Sequence, residues 1–209
     1  MILLESRLPR AVAPCTRAFT MVHYVRSLCL LLLVTGLAAF AQVPPELSEE
    51  ARKQYNAGLK EAGTLIKEKQ FETAGTKLDA LIAQRPREPQ ARFLKGVVES
   101  ELGRADSAMT IFRELIADYP ELPEPYNNLA VLYAQKGEYE QARLALETAV
   151  RTAPNWAVAR ENLGDIYARL AASEYERAAK LDRDNKTAPA KLTMVRNLLA
   201  AAPPAKPKS

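Results

Sequence analysis

The side chains most often used as nucleophiles, thiolate ligands and imidazole bases are few in this chain and lie near its N-terminus. The two cysteines, Cys15 and Cys29, and the one histidine, His23, all precede residue 42. Ser-His-Asp and Cys-His triads, thiol redox chemistry, haem attachment and Cys/His zinc sites all need at least one of these residue types. The sequence after residue 41 therefore excludes each of these chemistries.

Carboxylates remain, and they occur in pairs. Side chains two residues apart on a helix do not face each other, so solvated helix faces explain such pairs better than acid–base catalysis or a metal site. Asp182-x-Asp184-Asn185 matches part of a calcium loop but lacks its glycine and closing glutamate, and we interpret it as a helix end. We predict no catalytic residue, no metal and no cofactor. The pairs are Glu49-Glu50, Glu138/Glu140, Glu174/Glu176 and Asp182/Asp184.

An apolar stretch runs from Ser27 to Phe40, follows Arg26 and ends in Ala39-Phe40-Ala41. A positive region, a short apolar region and an A-x-A-like site together indicate a secretory signal peptide, with cleavage between Ala41 and Gln42. The stretch holds about 14 residues, fewer than the roughly 20 that span a bilayer as a helix. An uncleaved anchor and a soluble segment are the alternatives.

The leader changes the charge balance. It occupies residues 1–41, and Met21 is a second candidate start that would give a signal peptide of ordinary length, 21–41. The whole chain of 209 residues has a net charge of +4, from 29 basic and 25 acidic residues. Removing the leader's four basic and one acidic residue leaves 25 and 24, a net +1. A basic nucleic-acid-binding face is therefore not expected.

The rest of the chain repeats at a constant spacing, which equals the distance in sequence from Pro86 to Pro120 and from Pro120 to Pro154. A period of this length is typical of arrays of helices. Each period predicts two amphipathic helices with a short break and a closing proline. Gly103 and Gly137 mark the break, and Tyr133 and Tyr167 share one position in successive periods. The other matching sets are Ala74/Ala108/Ala142, Leu78/Phe112/Leu146 and Leu81/Leu115/Ala149.

The third period shows the pattern most fully, with Pro125-Tyr126-x-x-Leu129-Ala130-x-x-Tyr133, then Gly137-x-Tyr139-x-x-Ala142-x-x-x-Leu146-x-x-Ala149, then Pro154. This pattern resembles the tetratricopeptide repeat (TPR) family. The first unit departs from it, with Gly58 at the aromatic position, and the second places Lys95 and Glu99 at positions that are apolar in the third. The resemblance implies an all-α, right-handed α-solenoid of about four TPR helix pairs.

The fourth unit lacks five residues around its turn, and no Gly or Pro occurs from Asp165 to Leu181. We predict that its two helices are fused into one long helix, about Ala157 to Leu181. A tight turn at Ala172-Ser173 is the alternative. A C-terminal capping helix is predicted from about Pro189 to Ala200. The domain boundaries that follow are a linker at 42–47, the TPR domain at 48–201 and a disordered tail at 202–209.

The resemblance also implies a concave surface, lined by the first helix of each repeat, that binds a protein or peptide. An apolar pair, Phe93 and Val97, is the candidate peptide anchor within this groove. A carboxylate clamp of the Lys/Asn/Arg type is disfavoured, because Asn128 alone has a suitable side chain in the corresponding row. The predicted groove residues are Ile66, Lys67, Phe93, Val97, Glu101, Asn127, Val131, Gln135, Glu161, Asp165 and Arg169.

Trp156 opens the fourth unit. It is expected to pack between the third and fourth units, with stacking on a ligand as the alternative.

The function that these patterns favour is an exported, non-catalytic adaptor or scaffold, located in the periplasm. The first alternative is an assembly factor tethered to the inner membrane by an uncleaved leader, which would be its membrane contact. An enzyme that uses carboxylates or lysine is the second, and it would need shifted acidic pKa values in a deep pocket. The sequence identifies neither the partner nor the oligomeric state.

Overall fold

A computed structural model of the protein describes residues 49–201. The predicted leader 1–41, linker 42–47 and tail 202–209 lie outside the described residues. Within the described range the chain forms eight helices and no strand, which confirms the all-α class. None of these helices combines the length and the apolar character that crossing a bilayer requires. In chain order they are α1 (Glu49–Lys67), α2 (Phe71–Gln84), α3 (Pro89–Glu101), α4 (Ala105–Asp118), α5 (Pro123–Gln135), α6 (Tyr139–Thr152), α7 (Ala157–Leu181) and α8 (Thr187–Ala201).

The helix boundaries repeat with the period of the sequence. The second helices of the first three units, α2, α4 and α6, begin one full period apart, and so do α3, α5 and α7. Each helix packs on the next, and each first helix also packs on the first helix of the following unit. This stacking builds a solenoid of helix pairs, as predicted.

The turns within the first three units share one geometry. Lys69, Gly103 and Gly137 adopt left-handed backbone conformations with φ of 60°, 75° and 77°. In all three turns the next residue's N–H donates at 2.9 Å to the carbonyl oxygen five residues before it. This bond closes the helix end as in a Schellman motif, which favours glycine at the left-handed position. The predicted glycine turns are confirmed, and the first unit makes the same turn with a lysine.

Small residues allow the two helices of a unit to approach closely. Ala62, Gly96 and Ala130 occupy the same position in successive first helices, and all three are buried. A methyl group placed on Gly96 would lie 2.6 Å from Cε1 of Phe112, which is fully buried in the second helix of that unit. The hydrophobic core therefore runs along the solenoid between these paired helices.

The fourth unit does not form a helix pair. The long helix α7 has the bounds predicted for it, Ala157–Leu181, so the alternative turn at Ala172-Ser173 is wrong. Its first half packs on α6 and α5, and α8 packs on α7 alone among the described helices. Asn185 precedes α8 and caps its start, because its Oδ1 accepts hydrogen bonds from the N–H groups of Thr187 and Ala188 at 3.0 and 2.9 Å. The segment around Asp182 is thus a helix end, as predicted.

Candidate functional site

Four of the predicted groove residues have almost no exposed surface. Val97 is 2% exposed and lies in the core with Phe112, while Ile66, Asn127 and Val131 are also buried. The prediction of an exposed Phe93–Val97 pair is therefore wrong for Val97. Each first helix contacts at least two neighbouring helices, so a narrower part of its surface stays open than the residue spacing suggested. Lys67, Glu101 and Glu161 are exposed and line neither of the two openings described below.

A small pocket lies between α5, α6 and α7 and brings four predicted residues together: Val131, Gln135, Asp165 and Arg169. Its volume is about 300 Å³. Val131 contributes apolar surface, and the other three place an amide, a carboxylate and a guanidinium at the pocket. The Arg169 guanidinium lies 5.8 Å from the ring centroid of Tyr139, within range of a cation–π contact. This pocket can accept a small group that carries hydrogen-bond donors and acceptors.

A larger groove of about 470 Å³ crosses the N-terminal ends of α3, α5 and α7. These ends align because successive first helices begin one full repeat period apart. Phe93 and Trp156 are both half-buried in this groove. The centroid of the Phe93 ring lies 5.9 Å from the centroid of the Phe112 ring. The remaining lining is largely apolar, with two polar side chains, and comprises Pro89, Gln90, Leu122, Glu124 and Pro125.

Trp156 joins Phe93 although the two residues belong to units that are not adjacent in the chain. Trp156 was expected to pack between units, and a half-buried indole at a groove also suits the ligand-stacking alternative. The spacing of residues along a single helix could not reveal that Trp156 and Phe93 line the same groove. The one usable signal was that Trp156 and the helix-starting prolines Pro89 and Pro123 all lie where a unit begins.

A buried amide network explains why Asn127 does not line the groove. The Asn162 side-chain amide on α7 donates to Asn127 Oδ1 on α5 at 2.8 Å, and both residues are buried. The Asn127 amide in turn lies 3.4 Å from Asn128 Oδ1. Buried amides need such partners, so this network fixes the position of α7 on α5.

Among the described residues, charged side chains form ion pairs both within helices and between them. Lys136 donates to Asp106 at 2.7 Å, and this contact lowers the pKa of the Asp106 carboxyl. The buried Glu99 carboxylate lies 3.4 Å from both Lys95 and Arg104. Lys95 and Glu99, the two charged residues at repeat positions that are apolar in the third unit, therefore neutralise each other. Between residues 49 and 201 no group of three His, Cys, Asp or Glu side chains could hold a metal ion.

Comparisons with known proteins match the repeat. Two tetratricopeptide repeat family models match residues 59–123 and 100–163, which together cover half of the chain. Human tetratricopeptide repeat protein 8 is 35% identical over 91 residues. The match covers 40% of this chain and only 17% of the human protein.

Solved structures agree on the fold. The Yersinia enterocolitica type III secretion chaperone SycD, in complex with a peptide of the translocator YopD, has a TM-score of 0.52 at 19% identity. That comparison covers 63% of this chain and 98% of SycD. The TPR protein TTC0263 from Thermus thermophilus has a TM-score of 0.53 at 22% identity, covering 69% of this chain and 82% of the other. These matches confirm the right-handed α-solenoid, and with the family models they establish that the chain belongs to the tetratricopeptide repeat family.

Proposed function

We propose that this protein is an exported, non-catalytic adaptor that binds a protein or peptide partner across the first helices of its repeats. The observation that carries the proposal is the apolar groove in which Phe93 and Trp156 are half-buried. Aromatic side chains in a concave apolar site are the usual anchors for a bound chain. SycD, which has the same fold, is described in complex with a peptide, and this supports a peptide as the ligand here.

The chemistry of the groove indicates what kind of peptide would bind. Its floor is formed by prolines, Leu122 and the two aromatic rings, and Glu124 is its one charged side chain. An extended segment that inserts an apolar or aromatic side chain beside a basic residue would complement this surface. The polar pocket at Gln135, Asp165 and Arg169 is a second contact point for a longer ligand.

The non-catalytic assignment is supported by the state of the carboxylates. The pKa values of Asp106, Glu147 and Glu176 are all lowered, in each case first by a hydrogen bond from a cationic neighbour. Lowered values of this kind are typical of structural ion pairs, whereas a general acid near neutral pH needs a raised value.

The groove proposal is tested by truncating its anchors. We would select a ligand by panning short random peptides against the full chain, and then measure its Kd for each variant by calorimetry. We expect Phe93→Ala and Trp156→Ala each to weaken binding by about tenfold or more, because each removes an aromatic anchor. Val97 is left intact, because truncating a buried valine would itself destabilise the core.

Leu144→Ala is the matched control, because Leu144 is an exposed apolar residue on α6 that does not line the groove. It should change the Kd by less than about twofold. Trp156, the chain's one tryptophan, gives a second readout, since a peptide in the groove should change its fluorescence. Wild-type affinity in both aromatic variants would show that the peptide binds elsewhere.

Export is part of the proposal and has its own test. The intact mass of the protein isolated from the cell envelope distinguishes the two forms of the leader. A chain that begins at Gln42 supports a cleaved signal peptide and a periplasmic adaptor. A chain that retains the residues before Gln42 would support the membrane-tethered alternative instead.

A further inference from the structure

The small pocket between α5, α6 and α7 contains a buried hydrogen-bond acceptor that has no donor. Asn162 lines this pocket and is 9% exposed. Its amide N–H donates to Asn127 Oδ1, and the Asn127 amide in turn lies 3.4 Å from Asn128 Oδ1. This network holds the Asn162 amide in one orientation, and within residues 49–201 no group donates a hydrogen bond to its Oδ1. Buried carbonyl oxygens need a donor, and a ligand in the pocket can supply it.

Two opposite charges at the same pocket also lack ion-pair partners. Asp165 and Arg169 are four positions apart on α7, a spacing at which acidic and basic side chains often pair. Glu176 and Lys180, with the same spacing on the same helix, do pair at 2.9 Å. Asp165 and Arg169 form no ion pair with each other or with any other described residue. The Arg169 guanidinium instead lies beside the Tyr139 ring, 5.8 Å from its centroid, so both charges can pair with a ligand.

The rest of the pocket lining is mainly apolar. The volume of about 300 Å³ lies at the lower end of the range for small-molecule sites, so the pocket suits a compact molecule better than a folded segment. The pocket therefore combines apolar surface with an unpartnered acceptor and two opposite charges. Its apolar lining residues include Ala130, Val131, Ala134, Leu146 and Ile166.

We propose that this pocket binds a free α-amino acid with an apolar side chain. Such a molecule carries an ammonium group and a carboxylate on the same carbon atom. In the bound state the ammonium donates to Asn162 Oδ1 and to the Asp165 carboxylate. The Arg169 guanidinium donates to the ligand carboxylate, and the ligand side chain contacts the apolar lining.

The charge pattern favours a zwitterion over a group of one charge. A simple cation bound at Asp165 would be repelled by Arg169, and a simple anion bound at Arg169 would be repelled by Asp165. A zwitterion pairs with both side chains at once and also supplies the donor that Asn162 Oδ1 lacks.

This site goes beyond the adaptor function and does not depend on it. The pocket shares no lining residue with the groove that contains Phe93 and Trp156. A bound amino acid would occupy the second contact point of a longer ligand, so it would compete with the ligand there and leave the aromatic groove open.

The test is calorimetric titration of the full chain with L-valine, L-leucine and L-methionine as probes. We expect at least one of them to bind. If L-leucine is the tightest, its matched analogues are 2-hydroxy-4-methylpentanoate, which has a hydroxyl in place of the ammonium, and 3-methylbutylamine, which lacks the carboxylate. Neither analogue is larger than L-leucine, so neither introduces a clash. Each should bind about tenfold or more weakly, because each loses one charged contact.

Side-chain variants locate the site. Asp165→Asn and Arg169→Gln remove one charge each, and each should weaken amino-acid binding by about tenfold or more. Neither residue forms an ion pair in the described chain, so both variants should keep the helix content and melting temperature of the wild type. Glu161→Gln is the matched control, because Glu161 is an exposed carboxylate on α7 that does not line the pocket. It should change the affinity by less than about twofold.

Three results would overturn the proposal. The first is the absence of binding by all three amino acids at millimolar concentration, which would mean that water alone fills the pocket. The second is binding of either analogue as tightly as the amino acid, since the missing charge would then not be recognised. The third is wild-type affinity in both Asp165→Asn and Arg169→Gln, which would place the amino acid elsewhere. No peptide is used in these titrations, so their failure would leave the adaptor proposal unaffected.

Discussion

At the scale of single residues, Lys69 is the clearest departure from the repeat pattern. Among residues 49–201 it is the one non-glycine with positive φ, at the position where the next two units have Gly103 and Gly137. A side chain in the left-handed region crowds its own backbone, at a cost of about 1 kcal/mol or more. The turn forms nevertheless, because its capping hydrogen bond and the packed helices on both sides determine it.

We therefore predict that Lys69→Gly stabilises the protein by about 1 kcal/mol and raises its Tm by roughly 2–4 °C. Thermal unfolding followed by circular dichroism is the measurement. Gly103→Lys is the matched control, and it should lower the Tm by a similar amount. If Lys69→Gly lowers the Tm, the first turn does not have the strained geometry described here.

At the scale of helices, one repeat position can be tight or open depending on what packs against it. Gly96→Ala should destabilise the protein by about 1–3 kcal/mol, because the new methyl group would clash with the fully buried Phe112. Gly164→Ala is the same change in the same register of the fourth unit. There we expect no loss and a gain of up to about 1 kcal/mol from helix propensity. Urea unfolding of both variants gives the comparison, and equal destabilisation would contradict it.

Helix-to-helix contacts also predict a dependence on pH. Arg143 donates to Glu147 on α6, and Tyr167 on α7 donates to the same carboxylate at 3.0 Å. These bonds, Arg143 first, lower the pKa of Glu147. A lowered carboxyl pKa contributes stability that is present at neutral pH and is lost as the pH falls through the folded-state value.

We expect the wild-type Tm to fall as the pH decreases from neutral to about 3. Glu147→Gln should be less stable than wild type at neutral pH, and the difference should shrink in acid. Melting curves across this range test the prediction. A difference that stays constant with pH would show that Glu147 acts through packing rather than through its charge.

At the scale of the whole molecule, stability should vary along the solenoid. The central helices α3–α6 contain most of the buried residues of the fully packed units, whereas the part of α7 after Ile166 contains none and α8 contains two. In repeat proteins each element is stabilised by its neighbours, so poorly covered ends open first.

We therefore predict that amide hydrogen exchange at low protein concentration is slowest in α3–α6 and fastest in the distal half of α7 and in α8. The measurement is hydrogen exchange resolved by peptide mass spectrometry. Uniform protection along residues 49–201 would mean that the solenoid unfolds as a single cooperative unit.

Local residue patterns were sufficient to predict the repeat and the fused helix. The constant period, the turn glycines and the small residues are requirements of individual helices and turns, so they can be recognised without knowing what packs around them. The lack of Gly and Pro between Asp165 and Leu181 was likewise enough to predict a continuous α7. Leader cleavage and partner binding remain predictions.

Which helix surfaces stay open could be learned only from the packing of the helices. Val97 and Val131 have the spacing of an exposed row, yet neighbouring helices bury both. Phe93 and Trp156 share a groove because three helix ends from different units align. Local sequence sets the direction of a side chain relative to its own helix, but its burial depends on the helices that stack around it.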